Sequence, residues 1–244
     1  MLSQSQGGYN ILTTHNQPQP QTSHHQDVNR PRARCSRASH QEKRTRCCQS
    51  CRYSREGPTR AIIQVGDRLP DFSLQNAVGV EQRSADLLAQ GPLLITFYRG
   101  EWCPFCNIAL AGLQRYLPEF LSRGVNLVAI TPELPNGTMT MTEKHELKFA
   151  VLTDLHNGYA RQLGIVWKQP DTLKPVYEAL GHDLSEKNGD DSFEVPLPAT
   201  ILVDQDGTVQ NTYIEPNYFK RVEPKEVLQW IEGLREKERR AGVV

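Results

Sequence analysis

The stretch Leu93-Leu-Ile-Thr-Phe-Tyr-Arg-Gly-Glu-Trp-Cys-Pro-Phe-Cys106 decides how the rest of the chain is interpreted. Its first six residues are almost continuously apolar, which is typical of a β-strand buried on both faces. Two cysteines with the spacing CxxC follow directly, and Pro104 between them suits the first turn of a helix. The pattern predicts a strand that runs straight into a helix, with Cys103 at the first turn of that helix.

Cysteines in this position predict thiol redox chemistry. The unpaired N–H groups and the macrodipole at a helix N-terminus favour negative charge, so the Cys103 thiol should ionise more easily than a free thiol. Cys106 lies one turn later, where it can attack Cys103, and such a dithiol cycles between two redox states without a metal or an organic cofactor. Two other interpretations stay open, an inert buried pair and half of a zinc site. A structural zinc site needs four ligands, and no cysteine follows Cys106, so no metal is expected.

Composition divides the chain near residue 60. The 244 residues are 38% apolar and carry no net charge, but residues 1–60 are rich in Gln, Ser, Arg and His and have a charge balance of +7, which leaves −7 for the remainder. Such a stretch cannot bury enough apolar area to offset chain entropy. We therefore expect a disordered extension over residues 1–60 and one folded domain over residues 61–244. The charge of the extension could attract nucleic acid or an acidic membrane, but no aromatic platform accompanies it, so neither partner is expected.

The remaining cysteines, Cys35, Cys47, Cys48 and Cys51, all lie in the extension. Cys48 and Cys51 form a second CxxC, but no apolar strand precedes it, which favours exposed thiols over a functional pair. No apolar run reaches the ~18 to 20 residues that span a bilayer, and the N-terminus lacks the regions of a secretory signal. Reduced cysteines suit the cytoplasm, which is the expected location. Mitochondrial import stays open, although the first 29 residues contain no Arg or Lys.

A βαβ unit is expected around the two cysteines. The apolar positions from Cys103 to Arg123 have largely helical spacing, and a second apolar run follows at residues 126–131. Strand, helix and strand within so short a segment predict two parallel strands with a right-handed connection. The other expected elements are an opening hairpin in residues 65–79, a strand at 149–152, a helix at 156–163, an insertion at 171–195 with one short helix, a hairpin around 206–207 and a closing helix from 224.

This order of elements resembles the thioredoxin fold, an α/β fold whose central mixed sheet is flanked by helices. The strings FYRGEWCPFC, LVAITPE, FAVLTD and PLPATILVDQDG follow one another as in the peroxiredoxin-like branch of the alkyl hydroperoxide reductase and thiol-specific antioxidant family (AhpC/TSA). The resemblance covers roughly residues 61 to 240. It implies a thiol-dependent peroxidase with an antioxidant role.

The resemblance also implies roles for individual residues. Cys103 would be the peroxidatic cysteine and Cys106 the resolving one, and they would form a disulfide that thioredoxin or a similar dithiol reduces. Hydrogen peroxide and organic hydroperoxides would be the substrates. Pro198 corresponds to the proline that thioredoxin-like folds hold in cis opposite the redox pair. Two alternatives stay open, a protein disulfide oxidoreductase of thioredoxin type and a redox-sensing binding module.

The sequence departs from the family at the position three residues before the peroxidatic cysteine. Family members place Thr or Ser there, whereas this chain has Gly100, and Pro198 stands in the strand region where they use an Arg. Arg99 is therefore the main candidate for stabilising the thiolate and the peroxide, beside the helix N–H groups and the more distant Thr96. Arg99 could equally be a surface charge.

Two neighbours of Cys103 have expected effects of their own. Glu101 would oppose ionisation of the thiol or take part in proton transfer. Trp102 is expected to pack over the disulfide and shield it, or to form part of a surface on which the reductant docks.

Overall fold

The apolar runs of the folded part form strands in the computed structural model, which describes residues 61–136, 138, 142 and 146–242. The strands are β1 Ser73–Asn76, β2 Glu81–Arg83, β3 Leu93–Phe97, β4 Asn126–Thr131, β5 Ala150–Thr153, β6 Val166–Lys168, β7 Glu194–Pro196, β8 Ala199–Val203 and β9 Val209–Ile214. The α-helices are α1 Ser84–Leu88, α2 Pro104–Ser122, α3 Gly158–Gln162, α4 Lys174–Ala179, α5 Leu184–Asn188 and α6 Pro224–Ala241, with 3₁₀ turns at Leu155–Asn157 and Asp171–Leu173. The predicted extension at residues 1–60 and its four cysteines lie outside the described residues.

Seven strands form one mixed sheet in the order β2-β1-β5-β4-β3-β8-β9. β3 pairs with β4 in parallel, from Leu93 opposite Asn126 to Phe97 opposite Ile130, so the predicted βαβ unit is confirmed. β8 pairs with the other edge of β3 in the antiparallel sense. A central mixed sheet flanked by helices is the fold class that the sequence predicts. β3 lies inside this sheet, so the segment that follows it starts from a rigid position.

The two faces of β3 supply two separate cores. Leu94 and Tyr98 point to a cluster that contains both cysteines together with residues of α2 and α6. Leu93, Ile95 and Phe97 belong to the cluster on the opposite face. Because a strand alternates its side chains between faces, full burial of all five β3 residues requires this double coverage. The cysteines are thus part of the core that holds α2 against the sheet.

The insertion at residues 171–195 is more ordered than the sequence predicts. One short helix is expected there, but the structure has two, α4 and α5. It also has the strand β7, which pairs with β6 in a separate two-stranded sheet. These strands are only three residues long, and β6 is partly exposed, so neither has the apolar alternation that identifies a strand.

The predicted cis peptide bond before Pro198 is wrong, since every peptide bond in the described part of the chain is trans. The backbone on both sides of this proline is held in an extended path. Leu197 N donates to Ile165 O at 2.7 Å, and Pro198 O accepts from Glu215 N at 3.2 Å.

Candidate active site

Cys103 lies in the segment between the end of β3 and the start of α2. Its backbone N–H donates to Gly100 O at 3.1 Å, which closes a tight turn, and Cys103 is the N-cap of the helix that starts at Pro104. The N–H groups of Cys106 and Asn107 both donate to Cys103 O, at 3.0 and 3.1 Å. The predicted placement of Cys103 at the helix N-terminus is confirmed.

The two sulfur atoms are in contact, and each has its own arginine. Cys106 Sγ lies 2.8 Å from Cys103 Sγ, and both cysteines are free thiols. Arg99 Nη2 donates to Cys103 Sγ at 3.1 Å, and Arg221 Nη2 donates to Cys106 Sγ at 3.2 Å. Both cysteines are completely buried. The site is a desolvated dithiol with two positive charges beside it.

This environment drives the pKa values of the two thiols apart. The hydrogen bond from Cys106 and then the positive charge of Arg99 lower the pKa of Cys103 to about 5, although burial opposes them. Burial raises the pKa of Cys106 well above its ordinary value, and the hydrogen bond and charge of Cys103 add to this, while Arg221 acts in the opposite direction. At neutral pH, Cys103 is therefore the thiolate and Cys106 the thiol that donates to it.

Arg99 is a buried residue of the site and not a surface charge. It is 5% exposed, and its Cζ lies 4.9 Å from the ring centroid of Trp102 and 4.3 Å from that of Tyr218. Aromatic rings stabilise a desolvated guanidinium through its attraction to their π faces. The structure thus holds a permanent cation next to Cys103, as the sequence suggests.

Trp102 belongs to the site because its ring packs against the guanidinium of Arg99. The indole is 6% exposed, and it meets the ring of Tyr177 edge to face with centroids 5.1 Å apart. Its part in shielding a disulfide or in docking a reductant stays a prediction.

The surroundings of Gly100 leave no room for the Thr or Ser that family members have at this position. Its φ is +149°, and a Cβ there would collide with the indole nitrogen of Trp102 and would lie 2.8 Å from Cδ of Glu133. The space for a hydroxyl side chain is therefore taken by two other residues. Thr96, the distant candidate, is hydrogen-bonded instead across the sheet to Ala199 O at 3.3 Å and lies 3.4 Å from the hydroxyl of Thr200.

Glu133 is a buried acid that the sequence reasoning missed. It is 1% exposed, and its Oε2 accepts from Glu101 N at 2.7 Å. Burial raises the pKa of Glu133 to about 7, against the effects of the Glu101 N–H and the charge of Lys187. The residue lies two positions beyond the end of β4, the parallel neighbour of β3. Because the carboxyl ends of adjacent parallel strands share one edge of the sheet, this position could have been identified.

The site is covered by the loop between β9 and α6, residues 215–223, which we call the covering loop. Besides Arg221, it contributes Tyr218, whose ring lies over Arg99, and Phe219, which contacts the ring of Phe105 with centroids 4.7 Å apart. Sequence reasoning missed these residues because the loop has no periodic pattern. Access of any substrate to the buried sulfurs requires this loop or its neighbours to move.

No group of three or more metal-ligating side chains occurs among the described residues. Nor is any helix within them long and apolar enough to cross a membrane.

Fold and site together define a thioredoxin-fold protein with a buried CxxC dithiol. A family model described as the AhpC/TSA family matches residues 65–212, and the chain belongs to this family. The predicted peroxiredoxin-like relationship is thereby confirmed.

Three proteins to which this chain is similar are named as peroxiredoxins or as a peroxidoxin. Peroxiredoxin Bcp of Escherichia coli strain K12 is 25% identical over 151 residues, which cover 62% of this chain and 85% of that protein. A putative peroxiredoxin bcp of Haemophilus influenzae is also 25% identical, over 62% of this chain and 86% of its own. The crystal structure of peroxidoxin BcpB from Mycobacterium tuberculosis superposes with a TM-score of 0.56 at 18% identity, covering 71% of this chain and 97% of its own. That last similarity concerns the fold alone.

Proposed function

We propose that this protein is a thiol-dependent peroxidase in which Cys103 is the peroxidatic cysteine and Cys106 the resolving cysteine. The contact of 3.1 Å between Arg99 Nη2 and Cys103 Sγ carries the proposal, because it places a buried cation on the thiol whose pKa the hydrogen bond from Cys106 and this cation together lower to about 5. Membership of the AhpC/TSA family and the peroxiredoxin relatives support an oxidoreductase that acts on peroxides.

In the first step the Cys103 thiolate attacks the terminal oxygen of a hydroperoxide. An S–O bond forms while the O–O bond breaks, which leaves a sulfenic acid on Cys103 and releases an alcohol, or water when the substrate is hydrogen peroxide. The leaving oxygen needs a proton, and the Cys106 thiol, 2.8 Å from the attacking sulfur, can donate it. Arg99 can stabilise the negative charge that moves from sulfur to oxygen.

In the second step Cys106 attacks the sulfur of the sulfenic acid. The S–O bond breaks, hydroxide leaves with a proton as water, and a disulfide joins Cys103 to Cys106. An external dithiol then returns two electrons by thiol–disulfide exchange. Thioredoxin is the specific reductant we propose, and organic hydroperoxides are proposed as substrates beside hydrogen peroxide. The cytoplasmic location stays a prediction.

A protein disulfide oxidoreductase would use the same two sulfurs, but burial disfavours it as the main activity. Both cysteines are completely buried, and Tyr218 of the covering loop lies over Arg99. A protein disulfide would need a larger opening than a hydroperoxide to reach Cys103. The third possibility, a redox-sensing binding module, predicts oxidation without turnover.

The test compares the reduced full-length chain with Cys103→Ser and Cys106→Ser. Consumption of hydrogen peroxide or cumene hydroperoxide is measured in the presence of thioredoxin, thioredoxin reductase and NADPH, and exchange with a protein disulfide is measured in parallel. We expect fast turnover in the wild type, none in Cys103→Ser, and a sulfenic acid that persists in Cys106→Ser. Oxidation no faster than that of a free thiolate, together with rapid disulfide exchange, would overturn the proposal in favour of the oxidoreductase. Oxidation of Cys103 without turnover on either substrate would support the binding module instead.

A further inference from the structure

The second arginine of the site lies on the resolving cysteine. Arg221 belongs to the covering loop, 115 residues beyond Cys106 in the sequence, and its Nη2 donates to Cys106 Sγ at 3.2 Å. We propose that Arg221 is a catalytic residue of the second step, where it stabilises the Cys106 thiolate that attacks the sulfenic acid. This inference rests on the proposed peroxidase function and adds a residue to it.

The guanidinium of Arg221 is held in place for this contact. Its Nη1 donates to Tyr218 O at 2.6 Å and to Lys220 O at 2.7 Å, so two carbonyl groups of its own loop orient the guanidinium. Among the described residues, no carboxylate forms an ion pair with Arg221. Within the described part of the chain, its positive charge is therefore directed at the sulfur without a neighbouring acid that neutralises it.

Cys106 needs a cation at a different stage of the cycle from Cys103. In the resting enzyme the negative charge is on Cys103, and Cys106 is a buried thiol that donates to it. When Cys106 gives its proton to the leaving oxygen, the charge passes to Cys106, since the sulfenic acid on Cys103 is neutral. Arg99 contacts the sulfur that has just lost its charge, whereas Arg221 contacts the sulfur that has gained it.

The first step transfers one oxygen atom to Cys103 and one proton from Cys106. The Cys103 thiolate, the Cys106 thiol and the hydroperoxide give the sulfenic acid, the Cys106 thiolate and an alcohol. The Cys106 thiolate then forms the S–S bond, and the hydroxide that leaves takes a proton from solvent. The two electrons that reduce the peroxide come from the two thiols.

Neighbouring cations provide matched controls. Arg221 lines a cavity of about 470 Å³ together with Arg115 and Lys225, both of which are exposed. Neither of these side chains donates to a cysteine in the described hydrogen bonds. Arg115→Gln and Lys225→Gln therefore remove one positive charge from the same cavity without removing a donor from Cys106.

The experiment follows the two steps separately in the full chain. Reduced protein is mixed with one equivalent of hydrogen peroxide and quenched at intervals. The peptide that carries Cys103 and Cys106 is then analysed by mass spectrometry for sulfenic acid, disulfide and sulfinic acid. In Arg221→Gln we expect the rate of sulfenic acid formation to fall less than the rate of disulfide formation, because the hydroxide or alkoxide that leaves the peroxide is a much stronger base than the Cys106 thiolate and takes the Cys106 proton with or without the cation. Because a hydrogen bond to a charged group is lost, we expect the disulfide to form about 10- to 100-fold more slowly. Excess peroxide should then give more sulfinic acid in this variant, while Arg221→Lys should recover part of the rate.

A second oxidant makes the inference independent of peroxide. Diamide adds to the Cys103 thiolate, and Cys106 then displaces the hydrazine as the disulfide forms, so the same attack by Cys106 is measured. Disulfide formation in Arg221→Gln at the rate of the two controls, with either oxidant, would overturn the role of Arg221. Failure of peroxide to oxidise wild-type Cys103, together with a slow diamide reaction in Arg221→Gln only, would overturn the peroxidase function and leave the role of Arg221 standing.

Discussion

Replacing Arg99 by glutamine separates two effects that its guanidinium can have on Cys103. One effect is on the ground state, because the cation helps to lower the pKa of Cys103 to about 5. The other is on the transition state, in which charge develops on the oxygen of the peroxide. The two effects depend on pH in different ways, so one variant measured at two pH values can distinguish them.

The ground-state effect is limited in size. A hydrogen bond to a charged group contributes about 1.5–3 kcal/mol, and 1.36 kcal/mol corresponds to one pKa unit, so the loss of Arg99 should raise the pKa of Cys103 to roughly 6–7. At pH 8 the thiolate fraction would still be about 90% or more, and ionisation alone would leave the rate almost unchanged. At pH 6 the thiolate fraction would fall by up to about tenfold, because a pKa raised to roughly 7 leaves most of the thiol protonated.

The transition-state effect should persist at pH 8. Removing one donor that is aimed at developing charge slows enzymes by about 10²–10³. We therefore expect Cys103 oxidation in Arg99→Gln to be roughly 100-fold slower than in the wild type at pH 8, with a further loss at pH 6. Competition with a haem peroxidase for hydrogen peroxide measures the rate without relying on the fluorescence of Trp102, which Arg99 contacts. Arg115→Gln is the matched control. A rate for Arg99→Gln within about threefold of the wild type at pH 8 would refute the transition-state role.

Three further predictions concern the supporting residues. Glu133→Gln should change the pH dependence of the free energy of unfolding. Burial raises the pKa of Glu133 from 4.5 to about 7, so the folded wild type holds this proton more tightly than the unfolded chain does. The carboxyl therefore destabilises the folded wild type increasingly as the pH rises from 4.5 to about 7, by up to about 3 kcal/mol. Urea unfolding at pH 5 and pH 8 should therefore favour the variant more at pH 8, and an equal difference at both pH values would contradict the buried carboxyl. Gly100→Ala should lower the free energy of unfolding by at least ~2 kcal/mol, because its Cβ meets Trp102 at a positive φ; an unchanged denaturation midpoint would rule out this packing. Cys106→Ala removes the largest stabiliser of the Cys103 thiolate, so the midpoint of the pH dependence of Cys103 alkylation should rise from about 5, and a constant midpoint would assign the low pKa of Cys103 to Arg99 alone.

The centre of the fold could be predicted because its signals are local. The strand at Leu93–Phe97, the two cysteines and the helix Pro104–Ser122 are consecutive in sequence. A nearly continuous apolar run, a CxxC and a helical repeat each depend only on spacing, and the next apolar run at Asn126–Thr131 then fixes the βαβ unit. Arg99 could be singled out for the same reason, since it lies only four residues before Cys103.

The covering loop could not be predicted, because nothing in its sequence marks it as part of the site. Arg221 contacts Cys106 only after β9 and α6 have placed the two ends of the loop, and Tyr218 reaches Arg99 in the same way. Such contacts depend on tertiary packing and not on a periodic pattern. Glu133 is intermediate, since the topology of parallel strands points to it once β3 and β4 have been paired.

The two arginines compensate the negative charge that a buried dithiol carries during the reaction. A negative charge removed from water is costly unless a partner compensates it, and in this site the charge must reside first on Cys103 and later on Cys106. A single cation would favour one sulfur and so hinder the other step. With Arg99 on one sulfur and Arg221 on the other, the charge can pass from Cys103 to the leaving oxygen and, by proton transfer, to Cys106, and each sulfur has a charged partner when it is the thiolate. Because Arg99 lies in the segment that joins β3 to α2, its position is set by the same turn that places Cys103. Gly100 in turn leaves room for Trp102 beside that guanidinium, so the absence of the usual hydroxyl and the presence of the local arginine belong to one arrangement.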